Sequence, residues 1–219
     1  MSETTTQHAR TPLTRERILR GALAIVDRDG LEALSMRRLG AELGVEAMSL
    51  YNHVSSKDEL LEGVSGLLLQ DIELPDPSNG DWTDVMKTGL LSFRSLLLEH
   101  PRVIPIIQSK PDVTPEAFAP IEFSLDVLRR AGFGPEDALQ AHWALIGYTL
   151  GHVSFQMSSA FSDEESAQGH IALRQEVLPE NEFPRLFEVL PFLAECDFDA
   201  GFEFGLDTLL AGLKQRLTT

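Results

Sequence analysis

Residues 35–57 read SMRRLGAELGVEAMSLYNHVSSK, and their spacing predicts two short helices joined by a tight glycine turn. Ser35 is a natural N-cap for a helix running through Leu43, with Leu39 and Leu43 inward. Gly44-Val45 turns the chain, and a second helix is expected from about Glu46 to Val54. Leu39, Leu43, Val45, Leu50 and Val54 would pack the pair together, leaving Arg37, Arg38, Ser49, Tyr51, Asn52, His53 and Lys57 outward. Cationic, hydroxyl, amide and imidazole groups on such a pair are the types that reach phosphates and base edges in a major groove.

The flanks supply the rest of a three-helix head. Thr14 opens a helix with Glu16 in its first turn, and Ile18, Leu19, Ala22, Leu23, Ile25 and Val26 recur on one face. Asp29-Gly30 ends it, glycine suiting a left-handed C′ position. Ser56 and Glu59 predict a capping box for a helix carrying Leu60, Leu61, Val64, Leu67 and Leu68 towards Ile72. The reading is a flexible arm over 1–13, a helix-turn-helix domain over 14–58 and a helical body over 59–219.

In the body, residues 74–80 (LPDPSNG) read as a loop, followed by a helix from Asp81 to Glu99. Thr114-Pro115-Glu116 starts another helix to Arg130, ended by Gly132. Gly134-Pro135 begins a long helix reaching Phe161, Ser162 to Gly169 reads as a mobile acidic loop, and short helical pieces fill Ile171 to Cys196. A last helix spans Asp199 to Leu217, with Phe202, Leu206, Leu209, Leu210 and Leu213 on one side. With no alternating strand pattern, the expected fold is all-α: an N-terminal three-helix head and a C-terminal helical bundle.

The net charge of −16 is unevenly spread. Residues 1–57 hold eight Arg/Lys against seven Asp/Glu, a net of +1; the remainder holds ten against twenty-seven, a net of −17. Such a body excludes a DNA-packaging role and suits a head whose few cations point one way. The longest apolar stretch, Ala138 to Phe161, is broken by Gln140, His142, His152, Ser154 and Gln156, so no membrane span is expected. Met1 to Arg10 is polar and the one cysteine, Cys196, allows no intrachain disulfide, so a cytoplasmic protein is expected. No nucleophile–base set or metal-spaced cluster appears, so neither an enzyme nor a cofactor is expected; the rival reading is a helical enzyme or binding module with a vestigial head.

The run from Gly30 to Gly40, Leu43-Gly44-Val45, Ser49-Leu50-Tyr51-Asn52-His53-Val54 and Lys57 to Leu61 resembles the tetracycline-repressor (TetR) family. The resemblance implies a repressor released from double-stranded operator DNA by a small molecule. Arg37 would read a guanine edge, and Ala47, Met48 and Ser49 would lie nearest the bases. Tyr51, Asn52, His53 and Lys57 would meet groove wall or phosphate, and Ser35 and Met36 would start the supporting helix.

The body is similar to the ligand-binding domain of tetracycline repressors, through Ser92-Phe93-Arg94, Lys110-Pro111, Gly132-Phe133, Thr149-Leu150-Gly151 and Phe202 to Leu206. Those proteins hold a magnesium–drug chelate with a histidine and a carboxylate. The corresponding positions here are Ile106 or Ile107 and Phe155, so no metal and a more apolar organic effector are expected. Candidate pocket residues are Phe93, Ile106, Ile107, Phe118, Phe123, Trp143, Tyr148, His152, Phe155 and Gln156. Small residues (Gly147, Gly151, Gly201, Gly205, Ala211, Gly212) on the two long helices would let helices approach closely, and the resemblance implies a homodimeric four-helix interface. The heads would then lie about 34–36 Å apart on an inverted repeat.

Overall fold

Thr14 starts the first helix by chemistry rather than by position: its hydroxyl oxygen accepts the Arg17 N–H at 3.2 Å, and α1 (Arg15–Asp29) follows. The computed structural model describes residues 12–109, 115–158, 169, 171–173, 176–193 and 197–218. Within these lie α2 (Met36–Leu43), α3 (Ala47–Leu50), α4 (Lys57–Gln70), α5 (Trp82–Glu99) and α6 (Ile104–Ser109). They are followed by α7 (Pro115–Ala131), α8 (Pro135–Ser158), α9 (Pro184–Leu193) and α10 (Phe198–Arg216). No strand occurs among the described residues, and the all-helical expectation holds. No described helix is long and apolar enough to cross a membrane.

Three local expectations change. Gly30 has a positive φ of 87° but a ψ of 166°, so it does not form a left-handed cap. It donates to the Val26 carbonyl and leads the chain, extended, into a 3-10 turn at Leu31–Ala33. The second head helix is regular only over Ala47–Leu50; the N–H groups of His53 and Val54 both return to the Leu50 carbonyl. That turn lets Val54 bury its side chain, across three residues (Tyr51, Asn52, His53) of modest helix propensity. The capping box is displaced by one residue: Ser56 Oγ accepts the Glu59 N–H at 3.0 Å, but the Glu59 carboxylate takes the N–H and hydroxyl of Ser55. The arm over 1–11, the Thr114 cap, residues 159–161 and 162–168, and Cys196 lie outside the described residues.

The core forms two clusters. One joins Ile18, Ile25, Leu39, Leu50 and Leu60 of the head to Phe93, Leu97, Val103 and Ile106. The other joins the start of α5 to α7, α8 and α10 through Met86, Leu128, Leu145 and Phe202. Fully burying one such side chain contributes about 1.5–3 kcal/mol. Because α4 packs against both α1 and α7, the core runs across the expected boundary at residue 58.

Candidate nucleic-acid interface and ligand cavity

The α2–α3 turn is a Schellman motif. Gly44 is left-handed (φ 69°, ψ 33°), its N–H meets the Ala41 carbonyl, and the Val45 N–H reaches the Gly40 carbonyl at 2.9 Å. Gly40 is a close approach as well: a Cβ there would lie 2.9 Å from the Val45 carbonyl oxygen and 3.1 Å from the Ala47 nitrogen. Leu39 and Leu50 are fully buried beneath this turn.

What remains outside is the polar group. Ser35, Arg37, Tyr51, Asn52 and Lys57 are exposed, Met48 is 75% exposed, and Met36, Ala47, Ser49 and His53 are partly covered. Ser35 Oγ accepts the Arg38 N–H, so its hydroxyl is engaged in capping α2. The head's cations divide in two. Arg38 pairs with Asp29, and Arg28 pairs with Asp29 and with Glu42 at 3.1 Å, which holds Asp29 and Glu42 below the usual carboxylate range. Arg37 and Lys57 make no ion pair among the described residues.

In the body, α5, α6, α7 and α8, with the end of α4 and the chain after it, line a half-open apolar cavity of about 170 Å³. Its wall includes Phe93, Ile107 and Phe123, together with Leu69, Met86, Gly89, Ile121, Ile146 and Leu150. Its polar members are Ser124 and His142, whose Oγ and Nδ1 are 2.9 Å apart. Burial pushes the His142 imidazole below its ordinary pKa, which favours the neutral ring. Among the described residues that line it, none carries a carboxylate, ammonium or guanidinium. Among the described residues no group of three His, Cys, Asp or Glu is placed to hold a metal ion.

Comparison with known proteins decides the family. Residues 18–64 match the bacterial regulatory proteins of the tetR family, and residues 74–217 match the tetracyclin repressor-like C-terminal domain. The chain belongs to the TetR family. It is 33% identical, over 92% of its length and 84% of the other's, to an HTH-type transcriptional regulator of Saccharopolyspora erythraea. It is 32% identical, over 94% of each, to the class C tetracycline repressor protein of Escherichia coli. The structure of the TetR family protein ActR of Streptomyces coelicolor in complex with actinorhodin superposes with a TM-score of 0.82 at 33% identity, covering 93% of this chain and 96% of that one.

On this TetR-family chain the expected pocket residues separate by face, and α8 shows why. His142, Ile146 and Leu150, four residues apart, face the cavity. Tyr148, His152 and Gln156 face α5 and α10 instead. The Tyr148 hydroxyl donates to the Phe202 carbonyl at 2.9 Å, His152 packs edge-on to Phe202, and Gln156 accepts from Arg94 at 2.8 Å. Trp143, Gly147, Gly151 and Phe155 form the third stripe, exposed to solvent, with Trp143 at 58% and Phe155 at 60%. Phe118 is exposed on α7, and Ile106 is fully buried in the head-side core. Of the expected set, Phe93, Ile107 and Phe123 line the cavity; the other seven lie elsewhere.

Arg94 is the second residue whose role the sequence hid. Only 6% exposed, it donates to Gln156 and to Asp199 at 2.7 Å, and its guanidinium lies 4.9 Å from the centre of the Phe202 ring. The cluster ties α5, α8 and α10 together behind the cavity. Ser124 and His142, the cavity's polar pair, carry no motif; their signal is helical spacing against neighbours known only once α7 and α8 are placed.

Proposed function

We propose that this chain is a transcriptional repressor that binds an inverted-repeat operator as a homodimer and is released when a small organic molecule enters the α5–α8 cavity. The observation that carries this reading is one chain holding both an outward polar helix pair and a half-open apolar cavity, joined through α4 and α6. Arg37 is the base-reading cation, since Arg38 is engaged by Asp29. Ala47, Met48 and Ser49 at the tip of α3 meet the base edges with mostly apolar contact; Ser35, Met36, Tyr51, Asn52, His53 and Lys57 meet groove wall and phosphate. Operator choice then leans on DNA shape as well as on hydrogen bonds.

The naming of a small molecule with ActR, and of tetracycline with the class C repressor, supports a ligand-driven switch here. The lining, however, offers one imidazole and no carboxylate, which suits an apolar organic effector better than a magnesium chelate. The exposed stripe of α8, with Ala211 and Gly212 on α10, supports dimerisation: among the described residues no other element lies within 4 Å of a Cβ added at Gly147, Gly151 or Gly212. Gly205, expected with them, instead packs inside the chain against Tyr148, and Gly201 faces His152.

The test is fluorescence anisotropy on duplexes tiled from the region upstream of the chain's own coding sequence. Arg37→Ala and Tyr51→Ala are expected to raise Kd about tenfold or more while leaving the far-ultraviolet spectrum unchanged. Unchanged affinity in both variants sinks the assignment of the head.

A further inference from the structure

The cavity is chemically lopsided: its walls are hydrocarbon, one thioether and aromatic ring, apart from Ser124 on α7 and His142 on α8. A charged ligand would lose its water there and meet no opposite charge among the described lining residues, a cost of several kcal/mol. An uncharged one loses little. A cavity of about 150 Å³ with apolar walls takes a benzene ring, so the volume found here suits one aromatic ring.

The polar pair is half used. His142 Nδ1 is engaged by Ser124 Oγ at 2.9 Å, while the serine's other neighbour is Met86 Sδ at 3.9 Å, a weak acceptor. His142 Nε2 makes no hydrogen bond among the described residues; the residue is 6% exposed and lines the cavity. A polar nitrogen at the wall of an apolar cavity bonds water when the cavity is empty, and a ligand oxygen would take that place, whereas a hydrocarbon would leave the nitrogen bare. If Ser124 donates to Nδ1, Nε2 carries the proton and donates; if Nδ1 donates to Ser124, Nε2 accepts. A hydroxyl serves both cases.

We infer that the effector is a compact, uncharged aromatic molecule carrying one hydroxyl or carbonyl oxygen, and that His142, oriented by Ser124, takes that oxygen. The inference rests on the reading of this cavity as the effector site. Its polar end sets specificity in the way that sites built to bond a hydroxyl reject analogues lacking one, because the site's own polar group is then left bare. The alternative, a structural histidine satisfied by Ser124 alone, makes a different prediction about ligands.

The experiment is isothermal titration calorimetry of phenol, toluene and benzoate against the full chain and its His142→Leu, His142→Gln and Ser124→Ala variants, each checked for a native circular-dichroism spectrum. Phenol is expected to bind the unaltered chain more tightly than toluene, and benzoate not to bind. His142→Leu is expected to weaken phenol about 5- to 10-fold and leave toluene unchanged or tighter, with His142→Gln recovering part of the loss. Phenol binding that is indifferent to His142→Leu, while toluene still binds, overturns the inference and leaves the cavity a ligand site. Parallel loss of phenol and toluene in both His142 variants assigns the residue a packing role and also overturns it. Failure of both phenol and toluene to bind the unaltered chain removes the cavity reading and the inference together.

Discussion

Asp27, two residues from the end of α1, and His100, which joins α5 to the 3-10 turn Pro101–Val103, meet across the head–body junction with Oδ2 and Nδ1 2.8 Å apart. Arg102 reinforces the contact by donating to the carbonyls of Asp27 and Arg28, the acceptor end of the α1 dipole. The same turn leads directly into α6, whose Ile107 lines the cavity. These bonded groups connect the start of α6 to the C-terminus of α1.

Severing that connection should uncouple the two parts without disarming either. Arg102→Ala combined with His100→Leu is expected to lower stability by about 1 kcal/mol, because Arg102 is exposed and its bonds are partly screened. Operator affinity without ligand should stay within about threefold, while the loss of affinity caused by a saturating effector shrinks. Anisotropy titrations with and without ligand measure both. An unchanged ligand effect would show that the signal travels through α4 alone.

The turn of the head tolerates less. At Gly40 an added methyl meets a carbonyl oxygen and an amide nitrogen, both backbone, so α2 and α3 must separate. Gly40→Ala is expected to cost about 1–3 kcal/mol in urea unfolding, despite alanine's better helix propensity, and to weaken operator binding. Equal or greater stability would mean that the Val45–Ala47 backbone yields freely.

Acid should loosen the body before it touches the carboxylates. Burial holds the His142 imidazole below its ordinary value near 6.5, and burial followed by the Arg94 charge does the same for His152, with Asp199 opposing. Between the lowered folded values and about 6.5, the unfolded chain binds protons that the folded chain refuses. Stability is therefore expected to fall as pH drops through 6.5, above the range in which Glu59, Asp29 and Glu42 titrate. A His142→Leu, His152→Leu chain should show a flatter profile between about pH 7 and 5 in thermal melts. An identical slope would assign the loss to other groups.

The exposed stripe of α8 gives a test of assembly. Gly147→Glu introduces a charge where no atom lies within 4 Å in the single chain, so folding should survive. Sedimentation velocity is expected to show a monomer, with operator affinity reduced about a hundredfold or more because two half-sites are no longer engaged together. A dimer of unchanged stability would move the interface elsewhere.

The head was legible because its signals are local. Ser35, Gly44 and Ser56 act on backbone groups within a few residues, and the inward leucines keep helical register. The body was less legible. A helix contacted on several sides is apolar nearly all round, so α8 gave no direction for Trp143, Tyr148, His152 or Phe155, and His142 stood out only as an interruption. Arg94 could not be recognised as buried, because Gln156 and Asp199, which receive its bonds, lie 62 and 105 residues away. Gly30 was placed correctly as a stop but not in its ψ, which the following 3-10 turn dictates.

The three stripes of α8 also bear on how such a chain diverges. Positions 142, 146 and 150 face the cavity, while 143, 147, 151 and 155 face away from it. On the proposed function, substitutions accumulating on the first set would retune what the chain answers to, and those on the second would alter with which copies it assembles. A duplicated gene can thus acquire a new chemical input while still pairing with its parent, and only drift on the outer stripe separates the two populations.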